Sequence, residues 1–261
     1  MPTPTDPAGK QDLSALLDDV IPPGSTEPMG AYLFSSADPA AELGRRLERT
    51  VFLEAFGNTP DLLEAEYDPY EPASIFFVVV DHRRRRPAGT MRIIVPSFGG
   101  PPFKTLADIP GIWEDSAEAL YGRRGYTLPP AATWDIATLA VDAGYRGNAA
   151  VGLVSMGLYQ SVIRTALACR VDYLIAILDD PVYRMAKWKF HHPFVSVAEE
   201  RPYLGSDASH PVAMDIATWA DRLVTTDPVL RDLLCEGRGL EPALRPLDVE
   251  AATSLALAAA I

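Results

Sequence analysis

The segment Trp134-Asp135-Ile136-Ala137-Thr138-Leu139-Ala140-Val141 decides the fold, together with the turn Arg146-Gly147-Asn148-Ala149-Ala150 that follows it. The alternating segment predicts a β-strand, and apolar residues at helical spacing come after the turn: Val151, Val154, Leu158 and Val162. Backbone N–H groups at the beginning of a helix lack intrahelical partners and carry partial positive charge. Because Arg146 adds a formal charge, this strand, turn and helix are typical of a pyrophosphate-binding site.

The composition excludes several classes of protein. With 261 residues, 48% of them hydrophobic, the chain can form one large domain or two small ones. A net charge of −12 argues against nucleic-acid binding. Two cysteines, Cys169 and Cys235, are too few for a disulfide scaffold, so we expect a cytoplasmic protein. Residues 1–10 do not resemble a signal peptide and no long apolar run occurs, so neither export nor membrane insertion is expected.

The order of elements predicts an α/β protein with a mixed central sheet flanked by helices. Residues 1–29 are rich in proline and predict a flexible N-terminal arm around one short helix, Leu13 to Val20. Residues 30–216 are predicted to form the main domain. Residues 217–261 are predicted to form a C-terminal helical extension.

The first half of the main domain predicts a strand, a helix and an antiparallel hairpin. They span Ala31 to Phe34, Pro39 to Phe56, and Ser74 to Asp81 with Gly89 to Pro96. A Pro/Gly-rich excursion from Ser97 to Pro130 follows, with one predicted helix near Glu114 to Tyr121. Loops of this length are often lids or binding walls.

The second half predicts a strand–helix–strand crossover that ends in the apolar strand Asp172 to Leu178. Asp180 is the predicted N-cap and Pro181 the first residue of a helix that continues to Phe190. The remaining predicted elements are the strands Phe194 to Arg201 and His210 to Ile216, a helix from Thr218 to Glu236 and an Ala-rich end.

Taken together, this order of elements resembles the GCN5-related N-acyltransferase (GNAT) fold over roughly Ala31 to Ile216. In that family the turn between the fourth strand and the next helix reads Gln/Arg-x-x-Gly-x-Gly/Ala and binds the pyrophosphate of acyl-coenzyme A. Here Arg146-Gly147-Asn148-Ala149-Ala150-Val151 has the Arg, with the Gly at a shifted position. The resemblance implies a thioester donor, either acyl-CoA or the phosphopantetheine of an acyl carrier protein.

Within the superfamily, four segments resemble the acyl-homoserine-lactone (autoinducer) synthases and the N-acyl amino acid synthases, in the order found there. The segments are Arg49-Thr50-Val51-Phe52, Glu66-Tyr67-Asp68-Pro69-Tyr70-Glu71, Gly89-Thr90-Met91-Arg92 and Trp134-Asp135-Ile136-Ala137. The resemblance implies that six of their side chains bind the substrate: Arg49, Phe52, Asp68, Glu71, Arg92 and Trp134.

Acyl transfer to an amine needs a group that removes a proton from the amine before it attacks the thioester carbonyl. Asp135 and Glu66 are the candidates for this base or for orienting the amine. Asp68 and Glu71 can hold the ammonium form or order the two arginines at positions 49 and 92. The alternative is that this acidic loop is a salt-bridged surface turn.

Two further roles follow from the resemblance. Tyr183 lies where many enzymes of the superfamily keep a tyrosine that protonates the leaving thiolate; alternatively it packs as a half-buried side chain beside Trp188 and Phe190. Backbone groups of a splayed strand are predicted to bind the pantetheine arm, and the turn its phosphates. This donor-binding set is Leu139, Ala140, Val141, Arg146, Gly147, Asn148, Ala149 and Ala150.

Two basic clusters occur on this acidic chain, Arg83 to Arg86 and Arg123-Arg124. They can dock an acidic carrier protein or the phosphates of coenzyme A. A basic hairpin tip can equally be a solvated surface that prevents edge pairing, so both interpretations stay open.

The sequence thus predicts an N-acyltransferase that moves an acyl group from a thioester to a small amine or amino-acid-like acceptor. A second hypothesis is a non-catalytic acyl-CoA-binding sensor or scaffold, since Thr138 stands where the synthases usually carry Arg. A Rossmann oxidoreductase fits less well, because residues 142–146 separate the strand from the first glycine. No metal ion is expected, since the adjacent His191 and His192 lack a third ligand at helical spacing.

Overall fold

The computed structural model describes residues 13–97, 103–146 and 150–260, leaving aside the side chains at 150 and 151. Its α-helices are α1 (Leu13–Val20), α2 (Ala41–Phe56), α3 (Pro60–Tyr67), α4 (Lys104–Trp113), α5 (Ala117–Arg123), α6 (Ala150–Ala168), α7 (Asp180–Lys189), α8 (Ile216–Thr226), α9 (Pro228–Leu234) and α10 (Val249–Ala259). Its strands are β1 (Met29–Ser35), β2 (Ser74–Asp81), β3 (Arg86–Ile94), β4 (Thr133–Val141), β5 (Tyr173–Asp179), β6 (Val195–Ser196), β7 (Arg201–Tyr203), β8 (Ser206–Asp215) and β9 (Leu244–Arg245).

The strands form one mixed sheet in the order β6-β8-β5-β4-β3-β2-β1-β9, with β7 paired to β8. Two pairs are parallel: β4 with β5, which α6 joins, and β1 with β9 at the edge of the sheet. The other pairs are antiparallel. The predicted mixed α/β sheet is therefore confirmed, and so are the hairpin and the central crossover.

Helices cover both faces of the sheet, so the central strands are apolar at successive positions rather than at alternate ones. Along β2, Ile75, Phe77 and Val79 belong to the cluster beneath α6, α8 and α10. Phe76, Val78 and Val80 belong to the cluster beneath α1 and α2. Helices α4 and α5 cover the remainder of this second face, over β4 and β5. The sheet is thus the middle layer of three.

Helix α6 lies directly on β3. A Cβ atom placed on Gly89 would lie 2.5 Å from the Val154 side chain and 3.0 Å from that of Leu158. Glycine at this position of the strand therefore permits a close approach of helix to sheet. The same contact fixes the direction in which α6 leaves the turn after β4.

Three predictions about helices were wrong. The excursion after Ser97 contains α4 as well as α5, and α4 includes Pro110 and Gly111, which disguise its helical pattern. The helix predicted from Thr218 divides at Asp227-Pro228, where proline lacks an N–H and Asp227 caps a new helix through the N–H of Leu230. Asp180 is the first residue of α7 and not its N-cap, which is Asp179.

Both predicted end segments contact the sheet. Leu16 and Leu17 of α1 are buried beside β2, and α10 packs on α6 while β9 pairs with β1. The division at residues 29 and 216 stays a prediction. In the part of the chain that the structure describes, no helix is long and apolar enough to cross a membrane.

Candidate functional site

A cleft opens between β4 and β5, because the two strands pair only at their beginnings. Thr133, Trp134 and Asp135 pair with residues 173–175, and no pairing of β4 with β5 follows within the described residues. Strand β4 continues to Val141 alongside β3, and β5 continues to Asp179 alongside β8. The strands therefore diverge, as predicted for the donor site.

Backbone groups of β4 face this cleft. The N–H of Asp142 donates to Ala88 O at 3.0 Å. In an antiparallel pair every second residue bonds to the neighbouring strand, so the even-numbered residues from Thr138 to Asp142 direct their N–H and C=O groups to β3. The odd-numbered residues direct theirs to the β5 side. Val141 is one of the latter, since its carbonyl accepts a hydrogen bond from Arg146 Nε at 2.6 Å. Leu139 presents its backbone on the same side. A bulge at Ala137 changes the register below them.

The cleft holds a cavity of about 450 Å³. Strand β4 forms one wall, and the ends of β5, α2 and the β7–β8 hairpin form the others. Apolar side chains dominate the lining, among them Val51, Phe52, Phe56, Leu139, Ile177, Leu178, Val182, Met185 and Leu204. The lining within the described residues contains one basic side chain, Arg146, and one carboxyl group, Asp179.

A buried ion-pair network lies beside the cavity. Arg92 donates to Glu48 Oε2 at 2.7 Å and to Glu71 Oε2 at 2.6 Å, and its guanidinium lies 4.7 Å from the centre of the Tyr67 ring. The hydroxyl of Thr138, which lines the cavity, donates to Glu48. The two carboxylates and their hydrogen bonds raise the pKa of Arg92, so this group stays charged despite its burial.

A second polar cluster surrounds the buried ammonium group of Lys104. Its Nζ atom lies 2.5 Å from Glu66 Oε2 and 2.7 Å from Asp108 Oδ2. Asp108 also accepts a hydrogen bond from the Tyr203 hydroxyl at 2.5 Å. Tyr67 joins the two clusters: its ring lies 5.3 Å from Lys104 Nζ, and its hydroxyl donates to the carbonyl of the bulged residue Ala137.

Asp135 is completely buried and anchors α4. Its carboxyl oxygens accept hydrogen bonds from the backbone N–H and the hydroxyl of Thr105, both at 2.7 Å. Burial raises the pKa of Asp135 to about 6. The two hydrogen bonds from Thr105 and the charge of Lys104 act in the opposite direction and lower this pKa in part. The side chain thus connects β4 to the first turn of α4.

The pKa of Asp135 predicts a pH dependence of stability. The unfolded chain releases this proton near pH 3.8 and the folded protein near pH 6, so stability falls as the pH rises across this interval and is level above it. The difference between these two pKa values lowers the free energy of unfolding above pH 6 by about 3 kcal/mol relative to pH 4. Asp135→Asn keeps both contacts with Thr105 and has no charge to bury. We expect it to be more stable than the wild type above pH 6 and equal to it near pH 4.

Urea unfolding at pH 4, 5, 6 and 7 measures this difference. The exposed Asp172→Asn is the matched control and should retain the wild-type pH profile. A variant that is less stable than the wild type at pH 7 would contradict the expectation, since it would mean that the ionised carboxylate holds α4.

The structure brings together only some of the predicted substrate-binding residues. Phe52 lines the cavity, and Glu71 and Arg92 form an ion pair beside it. Arg49 lies on the outer side of α2 and pairs with Glu42, so the prediction that Asp68 or Glu71 orders it was wrong; Arg45 pairs with Glu71 instead. Asp68 is exposed.

Two other predicted residues lie away from the cavity lining. Trp134 points to the opposite face of the sheet from Asp135 and is buried in the cluster beneath α6, which argues against contact with a substrate. Tyr183 lies near the cleft, but its ring packs on that of His210, with ring centres 4.3 Å apart. Beside it, Pro181 and Val182 contribute to the cavity wall. Tyr183 therefore stays a prediction for the proton donor.

The donor-binding prediction is only partly visible. Leu139, Val141 and Arg146 lie at the cleft as described, whereas Ala140 directs its backbone to β3 and packs beneath α2. Gly147, Asn148 and Ala149 fall outside the described residues, as does the side chain of Ala150. Sequence reasoning missed Tyr67, Lys104, Tyr203 and Asp179. Asp179 had a readable signal, because it ends an apolar strand next to β4, at the strand edge where α/β proteins bind ligands.

A metal centre finds no support in the part of the chain that is described, which contains no group of three or more His, Cys, Asp or Glu side chains placed to hold an ion. Cys169 and Cys235 are both free.

No family model matches the sequence, and no curated protein sequence matches it. Among solved structures, FeeM, an N-acyl amino acid synthase from uncultured soil microbes, is similar with a TM-score of 0.54. It is 17% identical, and the match covers 77% of this chain and 98% of that chain. The chain has the GCN5-related N-acyltransferase fold.

Two further structures with this GNAT fold are similar at lower scores. The AHL synthase LasI has a TM-score of 0.42 at 13% identity, covering 74% of this chain and 91% of that chain. TofI, solved in a ternary complex with an inhibitor and MTA, has a TM-score of 0.47 at 12% identity. The match covers 72% of this chain and 91% of that chain. The GNAT fold predicted from the order of elements is confirmed.

Proposed function

We propose that the protein is an N-acyltransferase that moves an acyl group from a thioester donor to the amine of a small amino-acid-like acceptor. The observation that carries the proposal is the cleft between the diverging β4 and β5, with the backbone of Leu139 and Val141 along one wall and Arg146 at its mouth.

The donor is proposed to lie along β4. Its pantetheine arm contains amide groups, and an extended chain with amides can add to an unpaired strand edge as a further strand would. The phosphates of acyl-CoA, or the phosphoserine of a carrier protein, would then lie near Arg146, whose charge favours an anion. The apolar lining contributed by α2 and β5, including Phe52 and Ile177, suits an acyl chain.

The environments of Asp135 and Glu66 bear on their proposed roles. Asp135 is sealed beneath α4, and Glu66 holds the ammonium group of Lys104. We therefore assign both to positioning: they fix α4 and, through Tyr67 and Tyr203, the wall of the cavity. The group that receives the proton of the amine must then lie elsewhere.

Thiol release tests the function. Purified protein is incubated with acetyl-, octanoyl- and palmitoyl-CoA, and with the same acyl groups on a carrier protein, against a panel of amino acids and simple amines. We expect thiol release and a new amide with at least one pair. Arg146→Gln should raise the KM for the donor about tenfold through the loss of a charge-assisted contact, whereas the matched control Arg124→Gln should leave it unchanged.

A non-catalytic acyl-CoA sensor is the second candidate. The burial of Asp135 and the engagement of Glu66 by Lys104 favour it, since neither predicted base is free to take up a proton. Donor binding in native mass spectrometry without thiol release from any pair would support the sensor. Thiol release would exclude it.

The basic hairpin tip does not favour carrier-protein docking. Three of its four arginines pair with carboxylates of the chain: Arg84 with Asp81, Arg85 with Asp18 and Arg86 with Asp142. In the second basic cluster, Arg123 pairs with Asp115. These ion pairs support the interpretation of the tip as a solvated surface. The tip does not block edge pairing, because β2 and β3 are both internal strands of the sheet.

A further inference from the structure

One carboxyl group in the cleft differs from all the others. The acids around the cavity are held by cations or donors of the chain: Glu48 and Glu71 by Arg92, Glu66 and Asp108 by Lys104, and Asp135 by Thr105. Asp179 lines the cavity, and the described residues place no basic side chain within ion-pair distance of it. Its neighbour Asp180 is paired with Arg184 and His210.

We propose that Asp179 binds the amine of the acceptor and removes its proton, acting as the catalytic base of the transfer. This inference rests on the proposed function. It assigns to Asp179 the role of base, which Asp135 and Glu66 do not fill because both are engaged by other residues.

The position of Asp179 fits this role. It is the last residue of β5, beyond the part of the strand that pairs with β4, and in the sheet it is opposite Ser209, which also lines the cavity. Strand β4 forms the opposite wall, so a thioester held there would face Asp179 across the cavity. As N-cap residue of α7, Asp179 has the backbone N–H of Val182 near its carboxylate, which lowers its pKa in part, but no basic side chain of the described residues pairs with it.

The electrostatics of Asp179 also fit. Burial raises its pKa, and the nearby carboxylate of Asp180 acts in the same direction. A carboxylate with a raised pKa is a stronger base than an exposed aspartate. An ammonium ion would supply the positive charge that the surroundings of Asp179 lack.

The proposed step balances as follows. The acceptor enters as R–NH3⁺ and passes one proton to the Asp179 carboxylate. The free amine attacks the thioester carbonyl carbon, so that a C–N bond forms and the C–S bond breaks. The second proton of the nitrogen goes to the departing sulfur, giving an amide and a thiol, and Asp179 returns its proton to solvent.

Two measurements on Asp179→Asn test the proposal. With the active donor and acceptor pair, kcat/KM for the acceptor should fall at least a hundredfold, since a general base contributes about 10²–10⁴-fold, while the Kd for the donor stays within twofold. In calorimetry, 2-phenylethylammonium chloride should bind the variant at least tenfold more weakly than the wild type. The neutral isostere 2-phenylethanol should bind both equally.

Asp221→Asn is the matched control, because its carboxyl is exposed on α8 and lies outside the cavity lining; its kcat/KM should stay within twofold. Thermal unfolding verifies that both variants fold. Undiminished kcat/KM in Asp179→Asn, or equal binding of the ammonium ion by wild type and variant, would overturn the inference. If wild type releases no thiol from any pair but binds the ammonium ion through Asp179, the proposed function fails and the assignment of the amine site stands.

Discussion

Arg92→Met is expected to lower the free energy of unfolding by about 3–5 kcal/mol, because it removes the cation and leaves the charge of Glu48 buried and uncompensated. Glu48 is 2% exposed and lies between Arg92 and Thr138, so water cannot replace the lost guanidinium without opening α2 from the sheet. Urea unfolding at pH 7 measures the loss.

Two controls isolate the buried charge. Arg123→Met breaks an exposed ion pair with Asp115 and should have a much smaller effect. The double variant Arg92→Met, Glu48→Leu should recover most of the stability, since a buried ion pair can often be replaced by apolar side chains of similar size. If the double variant is no more stable than Arg92→Met, the loss comes from packing against Tyr67 and Phe76 and not from charge.

Trp134→Ala is expected to destabilise the protein by about 3–5 kcal/mol through the cavity it leaves beneath α6. Trp134→Phe refills most of this volume and should fold normally. Its KM for either substrate should match that of the wild type, because the indole is buried beneath α6 and does not line the cavity.

Chemical denaturation and steady-state kinetics on both Trp134 variants provide the data. Trp188→Ala is the control for stability, because that side chain is 87% exposed. A raised KM in a fully stable Trp134→Phe would restore Trp134 to the substrate-binding residues.

The hairpin, the central crossover and the fold itself could be predicted from the sequence because their signals are local. Strands β2 and β5 are almost continuous apolar runs, β3 and β4 are rich in apolar residues, and the order of the four in the chain leaves few ways to pair them. Helix α4 could not be predicted, since its first turn is stabilised by Asp135, a residue 30 positions away whose partner no local pattern reveals.

The sequence predicts which charged residues lie near the site, but it does not predict which of them form ion pairs with each other. A sequence shows that Glu66, Glu71, Arg49 and Arg92 are charged, whereas ion pairing depends on which arginine along α2 lies beside each carboxylate. One turn of helix separates Arg45 from Arg49, and this turn decides that Glu71 binds the former. Likewise, the alternation of side chains along β4 left open which of Trp134 and Asp135 faces α4 until the register was known.

The edge pairing of β9 with β1 has a consequence for biosynthesis. The chain completes β1 at Ser35, but the strand that pairs with its outer edge, at Met29 and Gly30, is made only at Leu244–Arg245. At about 5–20 residues per second, the ribosome needs roughly ten to forty seconds to bridge that distance. During this interval a nascent protein exposes the outer backbone of Met29 and Gly30 to other chains, so a translational pause before β9 would favour aggregation.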